Sequence, residues 1–269
     1  AHPFLHGTVL QDPINGLWKA WGTAAAEGSS ATMQTRRLAY LESEDGVNWQ
    51  RPDLDINHLG SHQRSNILLD INSGGNSSYA SVFVEIDAPK SQRYQMFLLR
   101  RPGEPKGIDG INSVKGFQTL DGGAPRDWGL YRYYSHDGLH WRPDKGPVLI
   151  NDPDIMKAGT TSDSIFVYRN PDGGFVAYHK TQIASFPGAI VPYELGPGGC
   201  RILVRRTSEN GVDWSPHEPC MLPDWRDSSD TQFMEISVTP AHGGYLGVVT
   251  VYRAASQTLE LQFAASRDG

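Results

Sequence analysis

Two acidic residues stand where acid–base chemistry could be done. Glu235 interrupts the otherwise apolar run Phe233-Met234-Glu235-Ile236, and Asp163 directly precedes the stretch Ser164-Ile165-Phe166-Val167-Tyr168. A carboxyl held among apolar groups has its pKa raised toward general-acid use, whereas one in a polar turn stays ionised and can serve as base or nucleophile. Each residue also has a scaffold reading. Glu235 can pair with Arg205 or Arg253, and Asp163 can cap the turn Thr160-Thr161-Ser162. Histidines add a second kind of titratable group. His2, His6 and His179 can act as acid, base or hydrogen-bonding residue near neutral pH, while His136 and His140 sit in an Asp-Gly turn and are expected to face solvent. Asp12, in Gln11-Asp12-Pro13, reads as a turn residue.

Groups of this kind need a rigid frame, and the sequence repeats one. Ser43-Glu44-Asp45-Gly46-Val47-Asn48-Trp49 recurs as Ser135-His136-Asp137-Gly138-Leu139-His140-Trp141 and as Ser208-Glu209-Asn210-Gly211-Val212-Asp213-Trp214, and Ser266-Arg267-Asp268-Gly269 opens a fourth copy. The copies lie roughly 60 to 90 residues apart, at or above the usual propeller period. Asp-Gly or Asn-Gly supplies the positive φ of a tight turn, and the Trp that closes each copy is expected to anchor it. An alternating strand precedes every copy, and upstream of it lies a hairpin of apolar, β-branched and aromatic strands. Hairpin, loop, strand, turn, strand is one propeller blade. The expected fold is therefore all-β, a single propeller domain over 1–269 with blades at about 1–60, 61–150, 151–222 and 223–269, the last incomplete. Because an unclosed propeller leaves open sheet edges, the chain is expected to cover about four blades of a five-bladed β-propeller and to be a truncated piece of a longer protein, with a closed four-bladed ring as the less favoured alternative.

Composition narrows the partners. The formal net charge is −6, which argues against the basic face needed to grip nucleic acid or anionic lipid. No apolar run approaches the ~18–20 residues of a membrane span, so no membrane partner is expected. The opening residues do not show a basic-then-apolar leader; the compartment stays open, with a secreted or periplasmic location favoured. Cys200 and Cys220 lack zinc-type spacing and are expected to be free or structural thiols rather than a bridge. Oligomeric state is unreadable.

The segments SEDGVNWQRPDL (43–54), SNILL (65–69), SHDGLHWRP (135–143), SDSIFVYRNPDGGFVAYHK (162–180) and FMEISVTPAHGGYLGVVTVY (233–252) resemble bacterial glycosyl-hydrolase-like proteins. Those proteins are related to the five-bladed propeller enzymes that include invertases, levanases, arabinanases and β-xylosidases. The resemblance implies working carboxylates at or just before the start of the innermost strand of successive blades, pointing into an axial funnel. At those places the chain offers Asp163 in blade three and Glu235 in blade four, with Asp230 nearby. Blade two offers Asn76, Ser78 and Tyr79. Blade one has His2 and His6 where the family has an Asp, which makes His6 the candidate third catalytic group.

The resemblance thus implies glycoside hydrolysis, with Glu235 as acid, Asp163 as base, nucleophile or stabiliser, and a carbohydrate as partner. His2, Tyr79, Asp230, Trp225, His179 and Arg205 are the expected substrate-binding residues. Trp225, in the polar loop Asp224 to Asp230, offers an aromatic face, as do Trp18, Trp21 and Trp128. The long insertion Pro102 to Asp127 is expected to line or cover the funnel. No cofactor or metal is expected. An axial calcium occurs among the related enzymes, but no dense carboxylate cluster predicts one here. Two other functions compete: a carbohydrate-binding propeller without catalysis, motivated by the absent blade-one Asp, and a glycoside phosphorylase, for which Arg100, Arg101, Arg205 and Arg206 would supply the basic groups.

Overall fold

The computed structural model describes residues 3–25, 36–57, 65–69, 76–101, 129–151, 160–161, 164–170, 172–184, 187–190, 199–241 and 243–269. Among them the only helix is a 3-10 turn at Lys90–Gln92, and the strands form antiparallel sheets. Two compact units divide the chain, Ala1–Ile150 and Asn151–Gly269.

The first unit holds two sheets. Sheet one has the order β1-β2-β3-β4, with β1 (Pro3–Gln11), β2 (Trp18–Ala25), β3 (Arg36–Ser43) and β4 (Ile67–Leu69). Its last strand lies beyond the boundary near residue 60 that the repeat spacing suggested. Sheet two carries β5 (Asn76–Val84), β6 (Tyr94–Arg101), β7 (Gly129–Ser135) and β9 (Leu149–Asn151), with β8 (Arg142–Pro143) also pairing β7. Trp21, Leu38 and Tyr40 of sheet one pack with Val82, Tyr94 and Met96 of sheet two in one buried cluster.

After the short strand β10 (Thr160–Thr161), the second unit contains sheet three, ordered β11-β12-β13-β14. These strands are β11 (Ile165–Arg169), β12 (Phe175–Ala184), β13 (Gly199–Ser208) and β14 (Glu218–Met221). Sheet four follows as β15 (Thr231–Ala241), β16 (Gly244–Arg253) and β17 (Thr258–Ser266). Val176, Tyr178 and Leu203 of sheet three are buried against Phe233, Ile236, Val249 and Val251 of sheet four. One repeat later the register brings Leu246, Val248 and Leu261 to the corresponding places, because Phe175 faces Ser208 as Tyr245 faces Ser266. Here these side chains are exposed, Leu261 to 73% and its strand neighbour Phe263 to 93%.

The recurring turn is the same local structure each time. Ser43, Ser135, Ser208 and Ser266 accept a hydrogen bond through Oγ from the amide of Gly46, Gly138, Gly211 and Gly269. In the first three copies the Asp45, Asp137 or Asn210 side chain accepts the next two amides. These bonds satisfy backbone donors that the ladder leaves free. All four glycines have positive φ, as the motif predicts. His136 and His140 are exposed, as expected, and both cysteines are free thiols.

Two tryptophans expected to present sugar-stacking faces are scaffold residues instead. Trp21 is fully buried and its Nε1 donates to the Gly138 carbonyl at 2.7 Å. Trp18 lies over Gly46, where an added Cβ would come 3.1 Å from its ring. Trp49, Trp141 and Trp214, expected as apolar anchors, are only half-buried.

Candidate functional site

The innermost strands place the candidate residues at irregularities. In β5 the register passes from Ser78–Leu99 to Ser81–Phe97, so Tyr79 and Ala80 together oppose Leu98. In β1 it shifts between Phe4 and Thr8, and in β15 between Phe233 and Glu235. Bulges re-aim side chains and gather beside active sites. His6 and Tyr79, selected from the sequence for chemistry, thus lie within register shifts, and Glu235 resumes the register just after one. The period-two pattern that reveals a strand gives no sign of such a bulge.

In the first unit His6 and Tyr79 are brought together. Their rings stack with centroids 4.8 Å apart and planes at 15°. Tyr79 is buried, 4% exposed, and has φ +56°, a left-handed conformation that costs a non-glycine residue about 1–3 kcal/mol. Such strain persists only where surrounding contacts enforce it, and it clusters at ligand-binding positions. Close by, Thr8 Oγ1 donates to the Ala80 carbonyl and accepts the Val82 amide, each at 2.9 Å. Gly7 permits the close approach of β1 to β2: a Cβ there would lie 1.8 Å from the Trp21 carbonyl oxygen.

In the second unit Glu235 is half-buried on β15, opposite Thr250. Arg253 bonds Glu260 through Nε and Nη2 and Thr231 through Nη1. Arg205, expected to bind substrate, lies on β13 opposite Tyr178 of β12. Asp230 stands one residue before β15. The Ser228 hydroxyl bonds it at 2.6 Å and holds its carboxyl below the ordinary value, and its backbone carbonyl accepts the Ala254 amide. Trp225 projects from the preceding loop, 84% exposed, with the Arg226 guanidinium 4.9 Å from its ring centroid. Asp224 braces this loop by accepting the Arg226 amide.

His179 is structural in its placement. It is 2% exposed, its Nε2 accepts from Arg206 Nε at 3.2 Å, and its Nδ1 lies 3.2 Å from the Lys180 carbonyl. Burial, with the neighbouring Arg206 charge, pushes its pKa down to about 3, so the ring is neutral and engaged at both nitrogens. Arg206 also reaches His217 Nδ1 and the Ser215 carbonyl. Asp12 is a turn residue, as read from the sequence, but a wholly buried one. Lys19 Nζ lies 2.6 Å from its carboxylate, and the Tyr94 hydroxyl and Ile14 amide both donate to it.

Asp163, His2, Trp128 and the insertion Pro102 to Asp127 lie outside the described residues, as do the side chains of Asn76 and Ser78. Among the described residues no three His, Cys, Asp or Glu side chains stand together as metal ligands would, and no helix is long and apolar enough to cross a membrane.

No protein-family model matches the sequence, and a search of curated proteins found no match. Solved structures do resemble it. A glycoside hydrolase superposes with a TM-score of 0.57 at 13% identity, over 99% of this chain and 70% of its own. An N-acetylgalactosamine deacetylase from F. plautii, solved with blood group B trisaccharide, gives 0.51 at 13% identity, over 96% of this chain and 71% of its own. A Bombyx mori β-fructofuranosidase gives 0.51 at 13% identity, over 98% of this chain and 45% of its own. At such low identity the likeness speaks to architecture alone, an all-β propeller-like arrangement of antiparallel sheets.

Proposed function

We propose that this chain binds a carbohydrate and hydrolyses a glycosidic bond, with Glu235 as general acid and Asp163 as base, nucleophile or stabiliser. His6 takes the place of the third catalytic group, and Tyr79, Asp230 and Trp225 contact the sugar. The observation that carries the reading is the recurrence of register shifts in these strands at or beside His6, Tyr79 and Glu235, on a fold shared with glycoside hydrolases. Glu235 is half-buried, so its carboxyl stays within reach of a substrate while its strand holds it in place. The exposed Trp225 face suits a sugar ring. The five-bladed count belongs to the same proposal. Its support is the uncovered apolar face of sheet four, whose counterpart in sheet three is buried by a following sheet.

One observation favours a second reading, a sugar-binding propeller without catalysis: blade one presents an imidazole, stacked on Tyr79, at the place expected for an aspartate. Reducing-sugar release from a panel of polysaccharides and aryl glycosides separates the two, comparing the parent with Glu235→Gln and Asp163→Asn. Activity lost in both folded variants supports hydrolysis. Absence of release from every substrate, with sugar binding retained in all three proteins, leaves the binding reading.

A further inference from the structure

We infer that Thr8 is the positioning residue of the His6–Tyr79 pair, its one hydroxyl splicing the inner edge of β5 to β1 and fixing the geometry in which the two rings stack. The inference rests on the proposal that this pair faces the sugar, and it concerns how the pair is held.

A bulge leaves backbone groups without their ladder partners. β5 is an edge strand of sheet two, and beside its bulge at Tyr79 and Ala80 the Ala80 carbonyl and the Val82 amide meet the Thr8 side chain. The hydroxyl donates to the first and accepts the second, both at 2.9 Å, so it occupies the position that a neighbouring strand's backbone would take. Only a hydroxyl does both at this reach; an isosteric Val does neither. Two residues before Thr8 on β1 is His6, and one residue before Ala80 on β5 is Tyr79. The bridge thus ties together the backbones that carry the two rings, immediately beside them. It also accounts for Tyr79 at φ +56°, since a bulge pinned on both sides cannot relax toward the ordinary strand. A second hydroxyl touches the pair more weakly, Thr23 Oγ1 reaching the His6 carbonyl at 3.4 Å, and serves as the control.

The test compares Thr8→Val, Thr8→Ser and Thr23→Val, reading the ring-current shift of the His6 imidazole protons by NMR. Thr8→Val is expected to abolish that shift, and Thr8→Ser and Thr23→Val to retain it. A folded Thr8→Val protein with unmoved His6 resonances overturns the inference, and so does loss of the shift in Thr8→Ser. Should Thr8→Val fail to fold, amide exchange in the parent protein decides: protection of the Val82 amide is expected, and exchange at the free-chain rate refutes the bridge. None of these readouts involves a ligand, so they fail separately from the proposed function. Sugar binding or turnover left unchanged in a Thr8→Val protein whose rings have parted would remove the pair from the substrate site while leaving the role of Thr8 intact.

Discussion

Asp12 is a buried carboxyl at the turn after β1, and replacing it by Asn decides whether it belongs to the scaffold or to the chemistry. Its side chain is fully buried, faces the Lys19 ammonium at 2.6 Å and receives hydrogen bonds from Tyr94 and the Ile14 amide. Asn keeps the shape but strands a buried ammonium, and removing one partner of a buried ion pair costs about 3–5 kcal/mol. The double variant Asp12→Asn, Lys19→Met should recover much of that loss, because an apolar side chain then replaces the uncompensated charge. Burial alone would raise the Asp12 pKa, but the hydrogen bonds from Lys19, Tyr94 and Ile14 outweigh it and hold the carboxyl below 3.8. A group whose folded pKa is depressed stabilises above its unfolded value and loses that contribution as pH falls through the folded one. The difference between parent and Asp12→Asn should accordingly be constant between about pH 5 and 8 and shrink below about pH 4. Urea denaturation followed by tryptophan fluorescence measures all of this. A cost under about 1 kcal/mol, or a double variant less stable than either single one, refutes the scaffold assignment. So does sugar turnover abolished at unaltered stability.

Three further outcomes are expected. Gly138→Ala should destabilise by at least about 1–2 kcal/mol, since φ is +81° and a Cβ would stand 3.0 Å from the buried Trp21 ring; thermal denaturation reads it. Trp225→Ala should leave stability unchanged and weaken sugar binding about two- to tenfold by calorimetry, the equivalent of roughly 0.5–1.5 kcal/mol of aromatic contact. His179, with a folded pKa of about 3 against an ordinary value of 6.5, takes up its proton more readily when unfolded. Acidification from about pH 6 toward 3 should therefore destabilise the second unit, by up to about 1.4 kcal/mol per pH unit, and His179→Gln should flatten that slope in denaturation curves taken across pH.

The turn motif was legible because its physics is local. Ser43, Asp45 and Gly46 satisfy one another within three residues, so one glance along the chain predicts the structure and the copies confirm it. Asp12 was half legible: its turn is local, but the Tyr94 hydroxyl that helps bury it comes from 82 residues away. The sequence offers Trp21 as an aromatic face in the same local way, whereas the Gly138 carbonyl that claims its indole lies 117 residues on. Composition identifies an aromatic ring without saying which way it faces. The left-handed Tyr79 was also invisible, because alternation marks a strand but does not register that two residues oppose one. Trp225, in a loop braced by its own aspartates, is as exposed as its polar neighbours implied.

The uncovered face of sheet four bears on how this chain behaves in solution. Leu259, Leu261 and Phe263 alternate along β17, and among the described residues no strand pairs with its outer edge. Whatever seats there recognises the folded sheet and not the unfolded chain, so by mass action it raises the apparent stability of the second unit in proportion to the logarithm of its concentration. Were that occupant another copy of this chain, the melting temperature would rise with protein concentration, and a melting temperature independent of concentration would show that copies do not seat there.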